Sequence, residues 1–519
     1  MTRTVLAAAL VALIAVQAGA YTFPVYTHNG TLVHPHWQVD TLPVIMQIND
    51  QTGPGLLNVT DDSDPMAALT RALSRWPAVS GVPFQQRSTS VASWGNDGIN
   101  LITFAATSKN QQALEMAGEP IAVTLIFFNL VNGELMEADL LFNPLSNFTT
   151  TMNTDAELSD ADLEDIEAVA THELGHVIGL HHSGVESAAM WPIASVLDRQ
   201  PDADDIAGAR TLYPVAAPGG TIRGTVLVDG EPAFGAQVVA LAASGAVAAS
   251  ALTLPGGTYA IESLSPDTYT VYVEPFDGPQ SVTPDGGCVH VGNLGGAGIY
   301  DGATLTTNFA TTFAGGNDTP TAFALDAGGS VQVDFMIASG DGTVNPTVIG
   351  PATVNGGYSA HVNTHALSVS AGTEQWIAVA GPNLDQVASD DISFYGPGIS
   401  VDAGSLINAS GTCGKGPLPF LIFRAVIAAD AAGGGRSLML KVGSQVGMLT
   451  GGVRIAAPPC EGDCNVSGGV TIDELLTMVN IALGNVAVQA CTPGDANGDG
   501  RITVDEILAA VNKALNGCQ

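Results

Sequence analysis

His172-Glu173-Leu174-Gly175-His176-Val177-Ile178-Gly179-Leu180-His181-His182 decides how the N-terminal part of this 519-residue chain is read. On a helix, residues i and i+4 lie one turn apart on one face, so His172 and His176 can reach a single metal ion. Glu173 is one step round the helix, able to reach a water on that ion without ligating. Gly179 can adopt the left-handed conformation that ends a helix, and the turn brings His182 back as a third ligand. Three neutral imidazoles leave one tetrahedral position open, which is the arrangement of a catalytic zinc and not of a structural one. Zinc lowers the pKa of bound water and polarises a carbonyl, and Glu173 is placed to take the water proton and return it. A bare His-Glu-x-x-His pair arises by chance in long chains, whereas the eleven-residue form with five fixed positions rarely does.

Working outward, Ser159-Asp160-Ala161-Asp162 reads as a helix start, with a serine cap and an acid three residues on. Leu163, Ile166, Ala170, Leu174, Val177 and Ile178 recur mostly at spacings of three and four and give the helix an apolar face. His181 is adjacent to the motif but out of phase, and no role is assigned to it. His28, His34, His36, His290, His361 and His365 belong to no metal-ligand pattern.

These residues resemble a metzincin metallopeptidase and, within that group, the matrixin family. Ser183 follows the third histidine, and Ala189-Met190-Trp191-Pro192 resembles the family's Met-turn, which implies Met190 as an apolar floor beneath the zinc. Asp204-Asp205-Ile206-Ala207-Gly208-Ala209-Arg210-Thr211-Leu212-Tyr213 resembles the closing helix, with its acids at the helix start, where the dipole favours them. Pro43-Val44-Ile45-Met46-Gln47-Ile48 and Ala138-Asp139-Leu140-Leu141-Phe142-Asn143 read as strands. The second resembles the edge strand on which the family binds extended peptide by strand addition. The resemblance runs from about Trp37 to Pro214. It implies an α+β catalytic domain with Glu173 as base, His172, His176 and His182 as zinc ligands, and Gly179 and Met190 as structural support. The chain departs from the family in three places. No cysteine precedes Cys288, so the propeptide thiol that blocks the zinc in animal members has no counterpart. The second, structural zinc set is absent between Asn58 and Asn100. Ala194 stands where a tyrosine often lines the S1′ pocket.

The remaining chain is of another kind. Only 13% of residues are charged, Gly numbers 61 and Pro 29, so short strands and turns are expected rather than long helices. A 46% apolar content is enough for buried cores, and at ~150 residues per domain the length predicts three or four domains. Ala216-Ala217-Pro218-Gly219-Gly220 reads as a linker. Beyond it, Thr221–Val226, Gly235–Ala240, Gly257–Ile261 and Tyr269–Val273 read as strands, and the uncharged stretch Gly235–Leu254 reads as a strand pair. They resemble a carboxypeptidase-regulatory-like β-sandwich, assigned to 216–344. Residues 345–458 read as all-β, with a faint resemblance to an immunoglobulin-like TIG domain at Gly381–Leu384 and Tyr395–Ile399.

The last 60 residues contain an internal repeat. Gly462–Asn485 aligns with Gly494–Gly517 at a period of 32, with 12 of 24 positions identical. In the second copy Asp495, Asn497, Asp499, the carbonyl of Arg501, Thr503 and Glu506 occupy positions 1, 3, 5, 7, 9 and 12 of a calcium loop, with Gly500 at position 6. The first copy offers Asp463, Asn465, Ser467, Thr471 and Glu474, with Gly468 at position 6. Ser467 in place of an Asp leaves that site one charge short and predicts weaker binding. Each loop leads into an amphipathic helix, Glu474–Leu483 and Glu506–Leu515. Two such units resemble a dockerin, assigned to 459–519, which implies two calcium ions and a cohesin-like partner. Four of the six cysteines, Cys460, Cys464, Cys491 and Cys518, fall here and allow three pairings, among which the sequence does not choose.

With 15 Lys and Arg against 50 Asp and Glu, the formal charge is −35, which argues against nucleic acid and anionic membrane surfaces as partners. Val5–Val16 is an uncharged apolar run, and Ala18-Gly19-Ala20 is a small-x-small cleavage site, so 1–20 reads as a secretory signal peptide cut before Tyr21. The run is shorter than the ~20 residues a span needs, and no span is expected in the mature chain. The six Asn-x-Ser/Thr sequons include Asn465, a calcium-ligand position; with the dockerin-like tail this inclines the reading to a bacterial source. The expected protein is therefore a secreted, multidomain zinc metalloendopeptidase acting on extracellular proteins. The competing readings are an inert surface-binding scaffold on a peptidase fold and a hydrolase of another acyl bond, such as one in a cell-wall polymer.

Overall fold

The structure, a computed structural model, describes residues 9–14, 24–53, 55–152, 158, 161–214, 219–276, 280–282, 288–290, 299–300, 303–340, 344–362, 364–413, 416–456, 460–464, 470, 472–497 and 499–516. These divide into two compact units, Met1–Ile455 and Ala456–Gln519. The cleavage site at Ala18–Tyr21, the proposed cap at Ser159, the linker residues Ala216–Pro218, and the calcium-loop residues Asn465, Ser467, Gly468 and Thr471 lie outside the described residues.

The first part of unit 1 is a twisted sheet with helices. Its strands are β1 (Ala9–Ile14), β2 (Val44–Asn49), β3 (Phe84–Thr89), β4 (Asn100–Thr103), β5 (Ala122–Asn129) and β6 (Leu135–Phe142), in the order β1-β5-β6-β4-β2-β3. The β2–β3, β2–β4 and β4–β6 pairs are parallel, whereas β5 runs antiparallel to both β6 and β1. This corrects one expectation: the strand containing Ala138–Phe142 is interior, paired on both sides, and β5 lies outside it. The burial of the two strands shows why the pattern misled. Both are buried almost throughout, without the alternation that marks a half-exposed edge. The two acids on β6, Glu137 and Asp139, accept from the backbone N–H groups of Gly95, Asp97, Gly98 and Leu101 and so fold the preceding loop onto the sheet.

Three helices pack on this sheet or close it: α1 (Pro65–Ser80), α2 (Ser108–Met116) and α3 (Ile166–Val177), and α4 (Ala203–Leu212) follows. α1 begins on an Asp64 cap and ends on Gly81 in the left-handed conformation, as a capped helix should. Ile166, Ala170, Leu174, Val177 and Ile178 enter the core with Trp76 of α1 and Met46 and Ile48 of β2.

Residues 219–337 form two facing sheets. Gly220–Val228 pairs with Thr258–Leu264, while Gln237–Leu241 lies between Val247–Leu252 and Asp267–Glu274. The pairing of Gln237 with Leu252 through Leu241 with Val247 agrees with the strand-pair reading of Gly235–Leu254. The later strands Ser330–Gln332 and Phe335–Ile337 return to the same sandwich as parallel neighbours of Gly220–Val228. Residues 344–456 form a second sandwich around Ile377, Val379, Phe423, Leu438 and Val453. Among the described residues no helix is long and apolar enough to cross a membrane.

Unit 2 holds two helices, α5 (Ile472–Ala482) and α6 (Val504–Asn516), around Met478, Ile481, Cys491, Ile502 and Ala510. Cys464 and Cys491 form a disulfide, and Cys460 is also disulfide-bonded. Each helix starts two residues before the expected position, so Glu474 and Glu506 lie in first turns. The exposed apolar residues repeat with the sequence: Ile472 and Val504, Leu476 and Leu508, and Leu483 and Leu515 are each more than half exposed.

Candidate metal centre

α3 starts at Ile166, later than the Ser159 reading placed it. Asp165 is the cap, its Oδ1 accepting from Ala168 N at 2.8 Å, and its carboxylate also receives Arg199 through Nε at 3.0 Å and Nη2 at 2.5 Å. A cap held bidentately by an arginine is fixed more firmly than a serine hydroxyl would be. Glu167 in the first turn accepts from both Arg71 and Arg75 of α1.

The helix carries His172 and His176 on one face, and the chain turns back at Gly179, whose φ is +94°. A Cβ there would lie 2.2 Å from the carbonyl oxygen of Pro35, so both the conformation and the close approach require glycine. The turn delivers His182. One ligand atom from each of His172, His176 and His182 lies within 4.8 Å of the others, and all three residues are buried. Nδ1 of His172 donates to the Ala189 carbonyl at 2.7 Å, and Nδ1 of His176 to the Leu180 carbonyl at 2.9 Å. That tautomer leaves Nε2 of each ring with its lone pair for a metal. Burial lowers the pKa of His172 to about 4, with the Ala189 hydrogen bond opposing. Burial, followed by the charges of His172 and His181, holds His176 well below the usual range. His181 is fully buried beside His182 but stands outside the group of three.

Glu173 is buried, and Oε2 accepts from the Thr124 hydroxyl of β5 at 2.6 Å. Burial raises its pKa to about 7, and the Thr124 bond works against that rise. Thr124 was not singled out from sequence; a lone hydroxyl within Ala122-Val123-Thr124-Leu125-Ile126-Phe127-Phe128 was the available signal. The other supports were also missed. Trp76 Nε1 donates to Thr171 O, Trp37 Nε1 to Val177 O, and the Tyr213 hydroxyl to Ile178 O, all at 2.7–2.8 Å. They satisfy carbonyls along and just beyond α3.

Met190 is fully buried, and its Sδ lies where a Cβ on Gly175 would be, 2.2 Å from it. Its turn is held by Asp205, whose carboxylate accepts from Ala189 N at 2.7 Å and Met190 N at 3.0 Å. Asp204 accepts from the Ser183 hydroxyl at 2.5 Å, next to His182, and from Ser250 N at 2.6 Å and Ser250 Oγ at 3.1 Å. Ser250 belongs to the first sandwich. From the second sandwich, Arg454 Nη1 donates to Leu197 O at 3.0 Å and to Ser187 O and Gln200 O at 3.4 Å, and Thr364 O accepts from Trp191 Nε1 at 2.6 Å. Both sandwiches thus reach into the loop that follows the third histidine. Beside His172 and Glu173 lies a cleft of about 460 Å³, mostly apolar, walled by Pro120, Ile121, Pro192, Ile193 and Ala194.

In unit 2 the second loop is closed by its own side chains. Asp495 accepts from Asp499 N at 3.0 Å and Gly500 N at 2.8 Å, Asn497 from Asp499 N at 2.9 Å, and Asp499 from Arg501 N at 2.9 Å. Glu506 Oε2 accepts from Thr503 N at 2.7 Å and Thr503 Oγ1 at 2.9 Å. In the first loop Asp463 and Glu474 are buried. Among the described residues no second trio of His, Cys, Asp or Glu converges as closely as the three histidines.

Residues 54–214 match the sequence model of the Matrixin family. Metalloendoproteinase 1-MMP of Arabidopsis thaliana is 27% identical over 191 residues, 36% of this chain and 46% of that protein. Metalloendoproteinase 1 of Glycine max is 29% identical over 182 residues, 34% of this chain and 53% of that protein. Karilysin of Tannerella forsythia is 45% identical over 49 residues, 9% of this chain and 10% of that protein. The chain thus spans about half the length, at most, of these relatives. The matched segment is a matrixin domain with its three histidines gathered.

Proposed function

We propose that the matrixin domain is a zinc-dependent endopeptidase that cleaves extracellular protein. The observation that carries this reading is three buried, converging imidazoles beside a carboxylate held by Thr124. The donor set fits zinc: nitrogen ligands only, three in number, two with their second nitrogen tied to a backbone carbonyl. Zinc bound there supplies a Lewis acid and an acidified water. Glu173 accepts the proton of the attacking water and returns it to the leaving amine nitrogen. Thr124 fixes the rotamer of that base. Substrate lies extended along the outer edge of β5, which loss of residues 1–20 leaves open, and places a side chain in the cleft beside Ala194. Met190 supports the helix from below through Gly175. An inert scaffold is the weaker reading, because the base and its hydroxyl partner are both in place.

The wider architecture is also a proposal: export through the N-terminal 20 residues from a bacterial source, a peptidase to residue 215, sandwich modules at 216–344 and 345–458, and a dockerin-like module at 459–519. Two calcium ions would be held by Asp463, Asn465, Ser467 and Glu474 and by Asp495, Asn497, Asp499, Arg501 and Glu506. The repeat-related exposed pairs, such as Leu476 and Leu508, offer an apolar face to a cohesin-like partner. Casein zymography of the full chain beside Glu173→Ala tests the enzymatic reading. Clearing by the wild type alone is expected, and equal clearing by both rejects Glu173 as the base.

A further inference from the structure

Where the loop after His182 meets the two sandwiches, a cavity of about 270 Å³ opens, and two acids line it. Glu186 comes from the loop, and Glu274 ends the strand Asp267–Glu274 of the first sandwich. Glu186 is 7% exposed, and its Oε2 has no hydrogen-bond partner among the described residues. Its backbone is pinned to the second sandwich, its N–H donating to Thr450 O at 2.9 Å and its carbonyl accepting from Ala366 N at 3.3 Å. Glu274 Oε1 accepts from the Thr450 hydroxyl at 2.6 Å. Burial and the neighbouring Glu274 push the Glu186 carboxyl well above the usual range. Among the described residues lining the cavity none is Lys, Arg or His, while Thr311 and Asn345 add further side-chain oxygens.

Two carboxylates sharing a cavity cannot both be charged without a compensating cation. We propose that Glu186 and Glu274 bind a divalent cation of the calcium class at this three-way junction, with oxygens of neighbouring side chains and water completing its shell. The donors are all oxygen, which selects calcium or magnesium over zinc. The roomy, irregular cavity suits calcium's six to eight ligands better than magnesium's tight octahedron. Such an ion would clamp the loop between His182 and Met190 to both sandwiches at once. It is separate from the histidine centre and from the loops of unit 2.

The test uses the full chain, zinc-loaded, in calcium-depleted buffer. Equilibrium dialysis should count one calcium fewer in Glu186→Gln than in wild type, with the same loss in Glu274→Gln. Added calcium should raise the melting temperature of wild type more than that of either variant. In calcium-free buffer Glu186→Gln should melt no lower than wild type, since the change removes acid–acid repulsion. Terbium offers a second readout. Trp191 lines the same cavity, and residues 459–519 contain no Trp, Tyr or Phe. Tryptophan-sensitised terbium emission should therefore appear in wild type and vanish in whichever glutamine variant folds. Equal calcium counts and equal emission in wild type and variants overturn the proposal. So does a wild type that takes up no calcium here and instead gains stability as the pH is lowered, which would mean that the two acids share a proton.

Discussion

The imidazoles of His172, His176 and His182 come from eleven consecutive residues, yet the helix, the base and the turns around them are fixed by groups far off in the chain: Trp37, Trp76, Thr124, Asp205 and Tyr213. The oxygens of Asp495–Glu506 are fixed almost wholly by the backbone of their own loop. The first centre is buried, and the helix and turns around it are tied to the core. The second carries several acids close together, and these accept from backbone N–H groups of their own loop. Under the functions proposed above, the two regions are two ways to build a metal site. One uses the fold to organise the ligands, and the other uses the ion to organise the fold.

The most drastic way to break this contrast is His182→Ala. Zinc and activity should both be lost while the calcium response of residues 456–519 is untouched; one zinc per chain measured in that variant would remove His182 from the site. Glu173→Ala should keep its zinc and its melting temperature but lose ~10²–10⁴ in turnover, the usual worth of a general base. In the acidic loop, Asp499→Ala should weaken calcium binding roughly ten- to a hundredfold, the equivalent of a charged contact of about 1.5–3 kcal/mol. The reduced segment 456–519 should also gain helical circular dichroism on adding millimolar calcium. A flat signal would mean that this unit needs no ion to organise it.

Smaller effects sharpen the same comparison. Ser250→Ala removes one of the bonds to buried Asp204 and should cost about 1 kcal/mol, read as a lowered melting temperature with zinc retained. The pH response has a definite sign. The folded pKa of His172 lies near 4, below the ordinary 6.5, so protons compete with zinc only on approach to that value. Between pH 7 and 5.5 the zinc content should fall by no more than about a few per cent, as measured by metal analysis after dialysis. A midpoint of loss near pH 6.5 would show that burial does not protect the site.

What could be read in advance follows from sequence distance. The ligand spacing, the glycine turn and the calcium-loop positions are local patterns, and local geometry fixes them. The supports are not local: Thr124 lies 49 residues from Glu173, and Ser250 lies 46 residues from Asp204. A hydroxyl gives no sign of which buried acid it will meet. The edge strand was misplaced because β5 and β6 are both buried on both faces, so burial periodicity carries no information about which is outermost. The helix start was misread because Ser159 and Asp165 offer the same capping chemistry, and Arg199, 34 residues on, selects the second.

The Arg454 contacts to Ser187, Leu197 and Gln200 carry a consequence for how the protein is made. The guanidinium that braces the loop after the three histidines is about 240 residues downstream of Tyr213, where the segment matched to the Matrixin family ends. At ~5–20 residues per second, a ribosome needs about 12–50 s to cover that distance. For that interval the histidines are already synthesised but the loop between them and α4 lacks its last brace. Those three carbonyls gain their guanidinium partner only after the second sandwich has been made.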